Sequence, residues 1–129
     1  MDSSNNTEPD YYIKEVENNT IKKNNIFVVH KNIPLNEKII KEMEKSNCRI
    51  IEFGIQFNQP ICYNLPSVIE KIVFNEKFNK FNQPIDNLPK ELKKITFGYH
   101  FNQPVDNLQW DYKDLLLVVI LISLLIIYR

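Results

Sequence analysis

Three short segments of the chain alternate hydrophobic residues with a variable one. They are Ile51-x-Phe53, Ile72-x-Phe74 and Ile95-x-Phe97, where x is Glu, Val and Thr in turn. Alternation with a period of two places the isoleucine and phenylalanine on one face of a β-strand and the middle residue on the other. The pattern therefore predicts three short strands, each with two buried side chains and one outward-facing residue.

A four-residue motif, Phe-Asn-Gln-Pro, follows each of these segments and is called the corner motif below. It occupies residues 57–60, 81–84 and 101–104, so its copies are 24 and 20 residues apart, and an aliphatic residue follows each one. Repetition at intervals of about 20 to 25 residues is typical of proteins in which similar units stack on one another. The predicted strands are therefore expected to lie parallel, side by side, over one continuous core.

Each position of the corner motif has an expected structural role. The phenylalanine fills the interior, the asparagine side chain bonds backbone groups of the turn, and the proline fixes φ where no N–H donor is needed. Stacked copies would form a ladder of asparagine hydrogen bonds. The residues assigned to this structural role are Phe57, Asn58, Pro60, Phe81, Asn82, Pro84, Phe101, Asn102 and Pro104.

The N-terminal part of the chain has no copy of the corner motif. Residues 1–24 are polar and are expected to form a partly disordered lead-in. Residues 25–48 are expected to form an N-terminal cap, because terminal units of repeat arrays are atypical. The cap contains a β-branched and aromatic strand at 26–29 and a helix at 36–46, which Asn36 caps. Ile39, Ile40 and Met43 share one face of that helix.

The repeats extend over residues 49–114 and are followed by a hydrophobic tail, residues 115–129. The tail is apolar from 115 to 127 apart from Ser123, whereas a membrane-spanning helix needs about 20 apolar residues. Three interpretations remain open. The tail inserts into a membrane, or it covers the end of the repeat array as a terminal strand or helix, or it results from an altered or truncated reading frame. Leu115-x-Leu117 can supply a fourth strand.

Composition limits the classes of function. The 129 residues are enough for one domain, and 16 basic residues balance 16 acidic ones, so no strongly basic surface is expected to recruit nucleic acid. Cys48 and Cys62 form no paired motif and are expected to be free thiols in a reducing, intracellular compartment. His30 and His100 lack ligand spacing, so neither a metal nor a cofactor is expected. The sequence predicts no enzymatic activity.

The repeated segments of the sequence resemble those of a known family. Residues 53–60 and 97–104, together with the Asn-Leu-Pro that begins at Asn64 and at Asn87, are similar to the FNIP repeat, a relative of the leucine-rich repeat found mainly in social amoebae and giant DNA viruses. The middle copy departs from the pattern, because three extra residues precede Phe81 and predict a bulged loop. The resemblance implies a leucine-rich-repeat-like fold and a role in protein binding. It does not extend to the F-box that some members carry, since residues 1–48 are too short and polar.

The combined prediction is a mainly β, leucine-rich-repeat-like solenoid with short parallel strands and an N-terminal strand–helix cap. Its function is expected to be that of a monomeric, cytoplasmic protein-interaction module with an unidentified protein partner. Solenoids commonly bind on the concave strand surface. The candidate partner-binding residues are Glu52, Val73, Thr96, Lys71 and Lys94. The alternatives are a membrane-associated accessory protein tethered by residues 115–129, and a degenerate remnant of a longer array.

Overall fold

The computed structural model of the protein describes residues 9–16, 24–61, 65–74, 78–85, 88–89 and 91–104, and the backbone of 116–119. Over these residues the fold is mostly β, with one six-stranded sheet and one helix. The elements in chain order are β1 (Tyr11–Val16), β2 (Asn24–Val29), α1 (Glu37–Ser46), β3 (Ile50–Phe53), β4 (Lys71–Phe74), β5 (Lys94–Phe97) and β6 (Leu116–Val119). The sheet is open, with β1 and β6 as the outermost strands described.

The spatial order of the strands follows the chain. β1 pairs antiparallel with β2, and each later strand pairs in parallel with the one before it. Ile51 lies opposite Ile72, and Ile72 lies opposite Ile95, so the three alternating segments are in register. The predicted strands and their parallel pairing are therefore confirmed.

The core lies on one face of the sheet and contains the hydrophobic residues of every repeat. The Ile and Phe of the three alternating segments are all at most 1% exposed. The corner phenylalanines, Phe57, Phe81 and Phe101, are 0%, 1% and 4% exposed, which confirms their predicted interior position. Cys48, Ile69, Leu92, Leu65 and Leu88 complete the core from the segments between the strands. Cys48 is a buried free thiol as expected, while Cys62 lies outside the described residues.

Helix α1 begins and ends close to the predicted boundaries. The Asn36 side-chain oxygen accepts a hydrogen bond from the Ile39 backbone N–H at 2.9 Å, which satisfies one of the free donors of the first turn. Asn47 ends the helix in the left-handed conformation, with φ of 57°. Ile39, Ile40 and Met43 are buried on the predicted apolar face. The helix therefore covers the core beside β2.

Strand β1 was not predicted. It lies within the segment that was expected to be a polar lead-in, and its six residues extend the sheet on the N-terminal side of β2. Only one of its rings reaches the core, where Tyr11 stacks on Phe27 at 5.1 Å between ring centroids. Residues 1–8 and 17–23 lie outside the described residues.

Part of the hydrophobic tail belongs to the sheet. β6 pairs in parallel with β5, and Leu117 lies opposite Ile95 while Val119 lies opposite Phe97. The predicted Leu115-x-Leu117 register was therefore wrong by two residues, since Leu117 occupies the isoleucine position and not the phenylalanine position. The remainder of the tail lies outside the described residues. No helix in the described part of the chain is long and apolar enough to cross a membrane.

Candidate interaction surface

The five candidate partner-binding residues lie on the sheet face opposite the core, called the open face below. Glu52 lies opposite Val73, and Val73 lies opposite Thr96, so these three form one row across β3, β4 and β5. Lys71 and Lys94 lie opposite each other in the neighbouring row. All five side chains are half-buried, which agrees with the alternation of buried and partly exposed residues along each strand.

The N-terminal end of the open face is closed by contacts within the chain. Lys14 Nζ on β1 lies 3.7 Å from Glu52 Oε1 on β3, so this ion pair passes across β2. Val28 of β2 lies in register with Tyr12 and Glu52 and is only 2% exposed, although it does not belong to the core cluster. The Glu52 side chain is 13% exposed and already has a basic partner. In the part of the chain that the structure describes, the open face over β4 and β5 contains no such ion pair.

The two lysines on that part of the face differ from the other charged residues nearby. Among the described residues, no carboxylate forms an ion pair with Lys71 or Lys94. The residues directly before β3, β4 and β5 form a different row, in which the acidic Glu70 lies between the basic Arg49 and Lys93. In this row Arg49 Nη1 lies 2.8 Å from Glu70 Oε2, and Lys93 Nζ lies 3.8 Å from Glu70 Oε1. One row is thus neutralised internally and the other is not.

The corner motifs form the predicted ladder, and it runs between repeats. The Asn58 side-chain oxygen accepts from the Asn82 backbone N–H at 2.9 Å, and the Asn82 oxygen accepts from the Asn102 N–H at 2.8 Å. The glutamines join the same acceptors, because Gln83 Nε2 lies 3.1 Å from Asn58 Oδ1 and Gln103 Nε2 lies 3.0 Å from Asn82 Oδ1. The corner prolines 60, 84 and 104 are exposed at the outer surface.

A comparison with protein-family models matches residues 81–109 to the family described as FNIP Repeat. The chain carries an FNIP repeat. The matched segment contains the third strand of the alternating series and two of the three corner motifs, so the resemblance deduced from the sequence is confirmed there. FNIP repeats are commonly related to interaction and are not known to be enzymatic. No curated protein and no solved structure matches the chain.

The ladder of corner motifs includes a residue that the sequence pattern did not reveal. Asn32 Oδ1 accepts from the Asn58 N–H at 2.9 Å and from Gln59 Nε2 at 3.0 Å, as the asparagine of a corner motif does. The signal was present, because Asn32-Ile33-Pro34-Leu35 keeps the Asn, the Pro and the following aliphatic residue. The position of glutamine is taken by Ile33, which has no preceding described corner to bond. The segment 25–48 therefore contains a diverged first corner.

The irregular middle repeat is organised by a second missed residue, Asn79. Its side chain is fully buried, and its Nδ2 donates to the carbonyl oxygens of Phe53 at 3.3 Å and Gly54 at 2.9 Å. Its Oδ1 accepts from the Phe81 N–H at 3.0 Å. Asn79 thus connects the predicted bulged loop to the end of β3, while the neighbouring Phe78 is 59% exposed.

Gly54 follows β3 where two segments approach closely. Its N–H donates to the carbonyl oxygen of Val29 at 2.9 Å. A Cβ at this position would lie 2.7 Å from the carbonyl oxygen of His30, which is closer than such atoms come in proteins. Gly54 is therefore needed for the close contact between its backbone and that of residues 29–30.

The described residues contain no group of three or more His, Cys, Asp or Glu that could hold a metal ion. His30 and His100 are both exposed. Over the same residues, the arrangement consists of a packed aromatic core, a hydrogen-bonded corner and an open sheet face. Such an arrangement can present side chains to a partner.

Proposed function

We propose that the protein is a non-enzymatic protein-interaction module, a short solenoid related to leucine-rich repeats that binds a protein partner on its open face. The observation that carries the proposal is the row formed by Glu52, Val73 and Thr96, which lie in register on three consecutive parallel strands. Because every second residue of each strand is used by the core, the alternate residues form a regular array on the opposite face.

The solenoid part of the proposal is supported by the repetition of both backbone and side-chain bonds. β2 to β6 pair in parallel in chain order, and the corner asparagines bond from one repeat to the next. In repeat proteins each unit contacts its neighbours and contributes one strip to an extended binding surface. Here β3, β4 and β5 each contribute two half-buried residues to the open face.

The small number of repeats sets the expected strength of binding. Stable specific interfaces bury about 800 Å² on each partner, and weaker, transient complexes lie at the lower end of the range. A face of three or four short strands is therefore expected to form a transient complex.

The proposal is tested by differential capture with the full chain from its native source. The variant E52A/V73A/T96A is expected to lose the partner that the wild type retains, because it truncates one whole row of the open face. The matched control is K38A/K41A/E44A, which changes three exposed residues of α1. A partner retained equally by all three proteins would refute binding through the open face.

A further inference from the structure

Lys71 and Lys94 place two like charges side by side on the open face. They lie directly opposite each other on β4 and β5, and neighbouring strands are about 4.8 Å apart. Like charges at directly opposed positions of a sheet destabilise the pairing of the strands. Both side chains are half-buried, so water screens them less than it would at a fully exposed site. The sheet therefore contains a repulsion between these two lysines, and replacing one of them by an acidic residue would remove it.

Other basic groups on the same strands or next to them have carboxylate partners. Glu70 lies between Arg49 and Lys93 in the row before the strands, and Glu52 pairs with Lys14 at the N-terminal end of the open face. The row that holds Lys71 and Lys94, by contrast, contains no acid. It begins with Lys14, whose ion pair is with Glu52 of the neighbouring row. The missing group in this row is a carboxylate.

We propose that Lys71 and Lys94 receive a carboxylate from an acidic segment of a protein partner. The segment lies over β4 and β5, with its acidic side chain between the two ammonium groups and an apolar side chain two residues away on Val73. The inference rests on the proposed function and assigns the chemistry of the partner that the open face binds. The bound carboxylate replaces the repulsion between the lysines by two attractive contacts.

The surroundings of the lysines favour a protein segment over a nucleic acid or a membrane surface. The chain has a formal net charge of zero, and nucleic-acid binding depends on neutralising many phosphates. The residues beside the lysines on the same strands are Val73 and Thr96, and Ile50 lies opposite Lys71, so contacts to uncharged side chains are available on each side. An extended segment with an acidic residue and an apolar residue two positions apart matches that pattern, because residues two apart lie on the same face of an extended chain.

The test uses the full chain and three labelled nonapeptides in which valine and a test residue, Glu, Gln or Lys, take turns at every second position, with serine between them. Binding is measured by fluorescence anisotropy, and its position by NMR shift changes at the amides of residues 71 and 94. The Glu peptide is expected to bind about fivefold more tightly than the Gln peptide at low salt, since an exposed ion pair contributes little more than this. The preference is expected to fall below about twofold at 1 M salt, where the Debye length is about 3 Å.

Charge reversal provides the matched variant. The double variant K71E/K94E is expected to prefer the Lys peptide by a similar factor, and it retains a like-charge pair at the same two positions. K38E changes an exposed lysine of α1 and is expected to leave all three affinities unchanged.

Three results would overturn the inference: equal affinity for the Glu and Gln peptides, no binding of the Glu peptide, or tighter binding of a single-stranded oligonucleotide or of phosphatidylserine vesicles at residues 71 and 94. The capture variant E52A/V73A/T96A changes neither lysine. If that variant loses the partner while the Glu and Gln peptides bind equally, the open face remains the binding surface and only the acidic chemistry is rejected. If capture is unaffected, the proposed function itself fails.

Discussion

At the scale of single residues, the phenylalanines connect the repeats. Phe53, Phe74 and Phe97 stack at 5.0 and 5.3 Å between ring centroids, and the corner phenylalanines form a second column at 6.1 Å spacing. The Phe81 ring, which belongs to the second column, also contacts the first, because it lies 4.0 Å from the ring of Phe74 and 6.1 Å from that of Phe97. Each stacked pair adds about 0.5–1.5 kcal/mol to the free energy gained by burial.

Replacement of Phe81 by alanine is expected to lower the free energy of unfolding by about 3–5 kcal/mol, because it leaves a cavity among rings from all three repeats. Urea unfolding followed by circular dichroism measures the loss, and Phe81→Leu, which keeps most of the volume, should lose less. Phe78→Ala is the control, since Phe78 is 59% exposed and its truncation should change stability far less. Equal losses for the two alanine variants would contradict the assigned core.

The role of a residue could be predicted from the sequence where the same residue recurs in several copies of the repeat. The role could not be predicted where the residue occurs only once or in a diverged copy. Three phenylalanines and three asparagines at matching positions indicated a shared interior and a ladder. Asn32 was missed because its flanking residues are Lys31 and Ile33, which conceal the motif. Asn79 was missed because its bonds reach across 25 and 26 residues, to carbonyl groups that only the folded backbone brings near.

At the scale of elements, local signals determined which strands and helices could be foreseen. Helix α1 was predictable from one cap residue and one apolar face. β1 gave no clear signal, because four of its six residues are exposed and its sequence mixes tyrosines with charged residues. β6 was placed in the wrong register because a uniformly apolar segment has no alternation with which to set it.

The pairing of β4 with β5 predicts a stability change that needs no partner. Lys94→Glu places an acid directly opposite Lys71 and is expected to raise the free energy of unfolding by about 0.2–1 kcal/mol. The control is the adjacent Lys93→Glu, which removes the ion pair with Glu70 and adds a like charge, so it should lower stability. Thermal unfolding at low salt compares them. If both changes shift stability in the same direction, the assignment of Lys71 and Lys94 as a like-charge pair without an acidic partner is wrong.

At the scale of the whole molecule, the parallel strands have an added strand on each side. β1 pairs antiparallel on the N-terminal side of β2, and β6 extends the sheet beyond β5. The ladder of corner asparagines runs from Asn32 to Asn102 beside these strands. β1 covers the outer backbone groups of β2, and β6 covers those of β5, which would otherwise be open to pairing with other chains.

Deletion of residues 115–129 tests the position of the tail. It removes β6, so we expect a stability loss of about 1 kcal/mol for each backbone hydrogen bond broken, and concentration-dependent association through the exposed edge of β5. Unfolding and analytical ultracentrifugation measure the two effects. A deleted protein that is monomeric and as stable as the full chain would contradict this role, whereas a shift from a carbonate-resistant membrane pellet to the soluble fraction would indicate an anchor.

The central claim, that the repeats stack through their corners, is tested most directly by amide hydrogen exchange in variants of the ladder. The Asn82 N–H donates to the side chain of Asn58, and the Asn102 N–H donates to that of Asn82. In Asn58→Ala, exchange of the Asn82 amide should accelerate about tenfold, the effect of a bond of about 1–1.5 kcal/mol, while the Asn102 amide stays protected. In Asn82→Ala the amide of Asn102 should accelerate instead. If either variant leaves its partner amide unchanged, or changes both amides alike, the repeats do not stack as described.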